Sequence, residues 1–185
     1  MRKIAIVAKA GTSSLAPWQD NEWEIWGIPW ISYFRVDKLF DMHDNSFYDK
    51  SSSEEWKNES WVDRIKDAPV YADKSRSHLP NYVEYPLDAV KESIPYHYFE
   101  NSIAYMMALA IHEKVDEIGL WGVHLRGTAE YEAERPSIAY LIGLAQGRGI
   151  KVYIPPGNPL LCSIWEAGRY GVNSKKRLKN PQYCS

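Results

Sequence analysis

A chain of 185 residues and 21.4 kDa can bury roughly 70% of its unfolded surface, enough for one compact domain without cross-links. Its 45% hydrophobic content and net charge of −2, from 22 basic and 24 acidic residues, argue against disorder and against a broad basic face for duplex nucleic acid. No apolar run approaches the about 18 residues of a membrane span, and Met1-Arg2-Lys3 leads straight into a strand-like run, so the expectation is a soluble, unprocessed, cytoplasmic protein.

Lys3-Ile4-Ala5-Ile6-Val7-Ala8 is β-branched and almost wholly apolar, the pattern of a strand buried on both faces of a parallel sheet. A small-residue loop, Lys9-Ala10-Gly11-Thr12-Ser13-Ser14, follows. Residues 24–28 and 38–42 read as the second and third strands, the third running into Asp41, His43 and Asp44. Ser51-Ser52-Ser53 before Glu54-Glu55 predicts a helix from about Ser53 to Lys66, and Pro69-Val70-Tyr71-Ala72 a short strand. The clearest helix spans about Ser102 to Glu113, with Ile103, Met106, Met107, Ala110 and Ile111 on one stripe and Asn101 or Ser102 as its cap. Residues 117–123 give another buried strand. Arg135-Pro136 predicts a second helix with proline in its first turn, ending at Gly147-Arg148-Gly149 before a last strand over 150–154. This alternation predicts an α/β, Rossmann-like, three-layer sandwich with a mostly parallel sheet over residues 1–172, followed by a basic tail over 173–185. The two cysteines, Cys162 and Cys184, both late, predict no disulfide framework, no cysteine-based zinc site and a reducing compartment.

In an open parallel sheet, ligands sit beyond the carboxyl ends of the strands. After strand one, Lys9, Gly11, Thr12, Ser13 and Ser14 can offer an ammonium, hydroxyls and backbone N–H groups to a phosphate, or form a plain small-residue turn. After strand three, Asp41 and His43 suit an oriented general base, and Asp41 with Asp44 suits a divalent cation, the one cofactor the pattern suggests; the plainer role is a turn cap. After the strand ending at Val123, His124 and Glu130 are candidates for acid–base or nucleophilic work, and Arg126 and Arg135 for phosphate neutralisation. Glu132 and Glu134 read as first-turn helix charges. Of the eight tryptophans, Trp18 and Trp30 beside loop prolines are the candidates for stacking on a base or sugar, and the others read as core or interface.

The β1 loop through Pro17, Trp23-Glu24-Ile25-Trp26-Gly27, Phe40-Asp41-Met42-His43-Asp44, residues 99–106 and the segment from Glu130 to Pro155 together resemble a family of small proteins encoded by tailed bacteriophages and prophages. More distantly, the small-residue loop, the Ser-led helix at Ser102 and the Gly122-Val123-His124-Leu125 strand end are similar to sialyltransferase-like glycosyltransferases and motility accessory factors. That resemblance implies a nucleotide-activated donor in a Rossmann-like cleft, with Ser13 and Ser14 at the donor phosphates and Ser102 near the nucleotide. His124 stands where those proteins often carry Asp, and Ala8 where glycine is usual. A further resemblance, to nucleoside deoxyribosyltransferases, implies Glu130 or Glu132 as a catalytic carboxylate.

The expectation is therefore a phage-encoded nucleotide-binding protein of the host cytoplasm, a transferase or hydrolase acting on a nucleotide or nucleotide-sugar. The rival expectation is a non-catalytic protein that sequesters a nucleotide or docks to a host or virion protein. Surplus tryptophan and tyrosine favour self-association.

Overall fold

In the computed structural model, which describes residues 1–29, 34–43 and 67–162, seven strands form one sheet: β1 Lys3–Val7, β2 Trp23–Gly27, β3 Lys38–Asp41, β4 Val70–Ala72, β5 Tyr82–Glu84, β6 Glu117–Trp121 and β7 Lys151–Tyr153. Three helices, α1 Leu87–Ser93, α2 Ser102–His112 and α3 Ala129–Gly147, join two 3-10 turns at Gly11–Leu15 and Lys74–Arg76. The strand order is β5-β4-β3-β2-β1-β6-β7, and every neighbouring pair is parallel. The expected α/β, Rossmann-like architecture is therefore present. The helix expected from Ser53 to Lys66, Asp44, Trp30 and the tail over 173–185 lie outside the described residues.

β1 is central and buried on both faces, which is why it reads as a continuous apolar run. Ile4 and Ile6 face the main core with Trp26, Phe40, Ile118, Leu120 and the apolar sides of all three helices. Ala5 and Val7 face the other way, against Ile25, Ala16 and Trp121, with Trp18 and Trp23 packed at the edge. Gly119 makes room for that second layer: a Cβ there would lie 2.1 Å from the ring of Trp121, two residues along on the same face.

Asn101 is the cap of α2, its side-chain oxygen accepting the Ala104 N–H at 2.9 Å. The helix beyond it is buried continuously from Ile103 to Ile111, except for half-buried Tyr105. His112, on its last turn, is half-buried and bonds the Ser93 hydroxyl at 3.1 Å. α3 departs from expectation. It begins at Ala129, capped by the Thr128 hydroxyl, so Pro136 lies inside the helix rather than in its first turn. The cap and the acidic first turn, Glu130 and Glu132, outweigh the proline signal, although the proline forgoes one intrahelical N–H and crowds the carbonyl one turn back. The helix ends as expected: Gly149 adopts φ +81 and the Ile150 N–H returns to the Ala145 carbonyl at 3.0 Å.

Charges gather at the amino-terminal edge of the sheet. Arg2 pairs with Glu24 at 3.0 Å and Glu113 at 2.7 Å, and Lys38 pairs with Glu24 at 3.1 Å. Burial works against the Glu24 carboxylate, but the Trp26 indole, Lys38 and Arg2 together hold it below the ordinary carboxylate range. This edge is structural, which leaves the opposite, carboxyl-terminal edge for ligands.

Candidate functional site at the strand switch point

The chain moves outward from β1 to β5 and then returns to place β6 on the other side of β1. The β1 and β6 connections therefore leave their neighbours in opposite directions and open a crevice at the carboxyl ends of these two strands. Hydrogen bonds lace the two loops together. The Ala8 N–H donates to the Trp121 carbonyl at 2.9 Å and the Ala10 N–H to the Gly122 carbonyl at 3.0 Å. In return the Gly122 N–H donates to the Thr12 hydroxyl at 2.9 Å, and that hydroxyl lies 3.0 Å from the His124 Nε2.

This lock depends on a glycine that the strand pattern conceals. Gly122 has φ +68, and a Cβ there would sit 2.1 Å from the Ala8 carbonyl oxygen. Only a residue without Cβ allows the two loops to approach so closely. Its signal in the sequence is only a glycine at a strand's end, three residues after a second glycine at 119. Leu125 adopts φ +46, a left-handed conformation that is costly for a leucine. His124 is thus held between a glycine-dependent contact and a strained turn. Burial pushes its imidazole below the ordinary histidine range, so it is neutral at physiological pH.

The loop after β1 turns within Gly11–Leu15. Lys9, Gly11 and Ser14 are exposed, Ser13 is half-buried, and Thr12 is buried to make the lock. A Cβ at Gly11 would meet nothing within 4 Å, so packing does not require glycine there. The Ser14 hydroxyl donates back to the Gly11 carbonyl at 3.1 Å. Ser102 is half-buried in the first turn of α2.

Asp41 and His43 stand elsewhere on the same edge. Asp41 is fully buried, accepting from Arg76 Nε at 3.2 Å and lying 3.0 Å from His43 Nδ1. This carboxylate fixes the imidazole orientation, as a carboxylate–histidine pair requires. Because β3 is three positions from β6 in the sheet, the two strand axes are about 14 Å apart. The structure therefore brings His124 to the β1 loop and His43 to Arg76, but does not bring the two histidines together. Asp41, committed to this buried pair, is poorly suited to hold a cation. Among the described residues, no group of three or more His, Cys, Asp or Glu side chains is placed to hold a metal.

Glu130 is exposed in the first turn of α3 instead of preceding the helix. Glu134, one turn later, accepts from Asn101 Nδ2 at 2.9 Å, and burial raises its carboxyl above the ordinary range against the pull of that bond. Arg126 and Arg135 are directed to backbone carbonyls rather than to the β1 loop. Arg126 Nε reaches Pro159 at 2.9 Å, Arg135 Nε reaches Leu160 at 2.6 Å, and both guanidiniums donate to the Cys162 carbonyl. They pin the segment that follows β7. Trp18 is half-buried against the second layer, edge-on to Phe34 with centroids 5.7 Å apart. Cys162 is disulfide-bonded, against the expectation of no disulfide framework and a reducing compartment.

No protein-family model matches the chain, and no curated protein sequence does. Solved structures do share its fold. One is the sialyltransferase CST-II in complex with a trisaccharide acceptor and CMP, at TM-score 0.52 and 14% identity over 83% of this chain and 80% of the other. Another is the sialyltransferase CstII from Campylobacter jejuni in complex with a substrate analogue, cytidine-5'-monophosphate, at TM-score 0.51 and 15% identity over 83% and 79%. Thiamine pyrophosphokinase from Bacillus subtilis aligns at TM-score 0.49 and 13% identity over 83% and 60%. For the two sialyltransferase structures, at these identities, the likeness is one of fold. Among the described residues, no helix is long and apolar enough to cross a membrane.

Proposed function

We propose that the chain binds a nucleotide or nucleotide-sugar in the crevice between the β1 and β6 loops and acts on it as a transferase or hydrolase, as a phage-encoded protein of the host cytoplasm. The observation that carries this reading is the Thr12–Gly122–His124 lock, which fixes an imidazole beside an exposed Gly- and Ser-rich loop at the switch point of a parallel sheet. Lys9, Ser13, Ser14 and the Gly11 backbone contact phosphate in this reading. Neutral His124 accepts or returns a proton at its Nδ1, the ring nitrogen not bonded to Thr12, with Glu130 as the carboxylate at the α3 entrance. His43, oriented by Asp41, serves the far end of the edge, and Trp18 borders the loop. The fold shared with two sialyltransferase structures that hold CMP supports a nucleotide as the ligand class.

The test is a thermal-shift panel of nucleoside mono-, di- and triphosphates and UDP- and CMP-sugars, with and without magnesium, on the protein and its Ser13→Ala and His124→Asn variants. Ligand at 100 times its dissociation constant adds about 2.7 kcal/mol of stability, a shift of several degrees. One nucleotide class should shift the melting temperature, less so in the variants. No shift with any class would refute the proposal and leave the non-catalytic docking role.

A further inference from the structure

A second concavity lies on the same edge, beyond the carboxyl ends of β3, β4 and β5 and next to the Asp41–His43 pair. It is a cavity of about 680 Å³, within the range of pockets for small organic ligands. Its inner wall is apolar and aromatic: Met42, Leu87 and the rings of Tyr85 and Tyr105. The two rings meet edge-to-face with centroids 5.3 Å apart, and the Tyr85 hydroxyl donates to the Tyr105 carbonyl at 2.8 Å, so this wall is rigid.

The rim is anionic. Asp73, Glu84 and Asp88 line it against one cation, Lys74. That excess repels a phosphate or carboxylate ligand and separates this cavity from the β1 loop, three strands from β4 across the sheet. The one ammonium on the rim, Lys74, pairs with Glu84 at 3.2 Å. Charge reaches the wall as well: burial first, and then Asp73 and Glu100, raise the Tyr105 phenol above its ordinary range. Structural work alone accounts for part of this charge, since Asp73 caps the turn at Ser75 and Asp88 sits in the first turn of α1. It does not account for their convergence on an open, aromatic-walled cavity.

We infer that this cavity binds a small aliphatic amine, its alkyl stem on Met42, Leu87 and the tyrosine rings and its ammonium groups on Asp88, Asp73 and Glu84. An aromatic face and a carboxylate are both favourable partners for an ammonium, and an apolar stem gains by leaving water.

Isothermal titration calorimetry at low ionic strength with putrescine, 1,4-butanediol and succinate tests the site. Putrescine should bind saturably at one site per chain, and the neutral and anionic molecules of the same length should not. Asp88→Asn should weaken putrescine roughly fivefold, the factor for one pair of charges at about 4 Å in water. Lys74→Ala, which frees Glu84 from its resident ammonium, should tighten it. These opposite signs separate ligand recognition from a change in fold, and both residues are exposed. Absence of saturable putrescine binding, equal binding of succinate, or variants that leave the affinity unmoved would overturn the inference. Amine binding with a silent nucleotide panel would keep this site and refute the nucleotide reading; the reverse pattern would do the opposite.

Discussion

Replacing Thr12 by valine keeps the shape of the side chain and deletes one oxygen. That oxygen accepts the Gly122 N–H at 2.9 Å and bonds His124 at 3.0 Å, in a residue only 8% exposed. The variant leaves a buried N–H without its acceptor, which costs about 1–3 kcal/mol, and the half-buried His124 imidazole without this partner. A central value of about 2 kcal/mol lowers the melting temperature by about 4–8 °C in a chain of this size. Thr12→Ser keeps the oxygen and loses one methyl, about 0.8 kcal/mol, so serine should be the milder change. Denaturant melts of the two variants, of His124→Ala and of the Thr12→Val/His124→Ala pair complete a double-mutant cycle, with an expected coupling above about 0.5 kcal/mol. A valine variant as stable as the serine one, with no coupling to His124, would refute the lock.

Gly122→Ala should destabilise by more than about 3 kcal/mol or prevent folding, because its Cβ would meet the Ala8 carbonyl at 2.1 Å with φ at +68; circular dichroism and expression as soluble protein would show it. Asp41→Asn leaves Arg76, 2% exposed, without its ion pair and should cost about 3–5 kcal/mol in denaturant melts. Because burial depresses the His124 pKa, the unfolded chain binds the extra proton first: stability should fall as pH drops below about 6.5, and His124→Asn should flatten that part of a melting-temperature profile. Glu134 titrates in the opposite sense. Its carboxyl is raised in the fold, so its contribution is lost as pH rises above about 4.5, and Glu134→Gln should gain melting temperature at pH 7 relative to pH 4.

Periodicity made the central sheet legible. Residues 3–8 and 117–123 could be read as buried parallel strands because burial on both faces leaves no polar alternation, and β1 and β6 lie there. The stripe of α2 and its Asn101 cap were equally plain. β5 and α1 escaped because a three-residue, part-exposed strand and a seven-residue helix carry too little pattern to rise above loop composition. The start of α3 was misplaced because proline was weighed above the Thr128 cap. Sequence could place His124 and the β1 loop at strand ends, but not their contact, which spans 112 residues and hinges on Gly122. Nor could it show Arg126 and Arg135 bound to carbonyls at 159–162, since residue type announces a cation and not its partner.

The most direct test of the central claim is a two-dimensional amide NMR titration of isotopically labelled protein with nucleoside 5'-monophosphates. The account predicts saturable shifts at the amides of residues 9–14 and 122–125 together, two segments that the lock holds side by side at the ends of β1 and β6. Shifts confined to other parts of the sheet edge, or none at millimolar nucleotide, would contradict it.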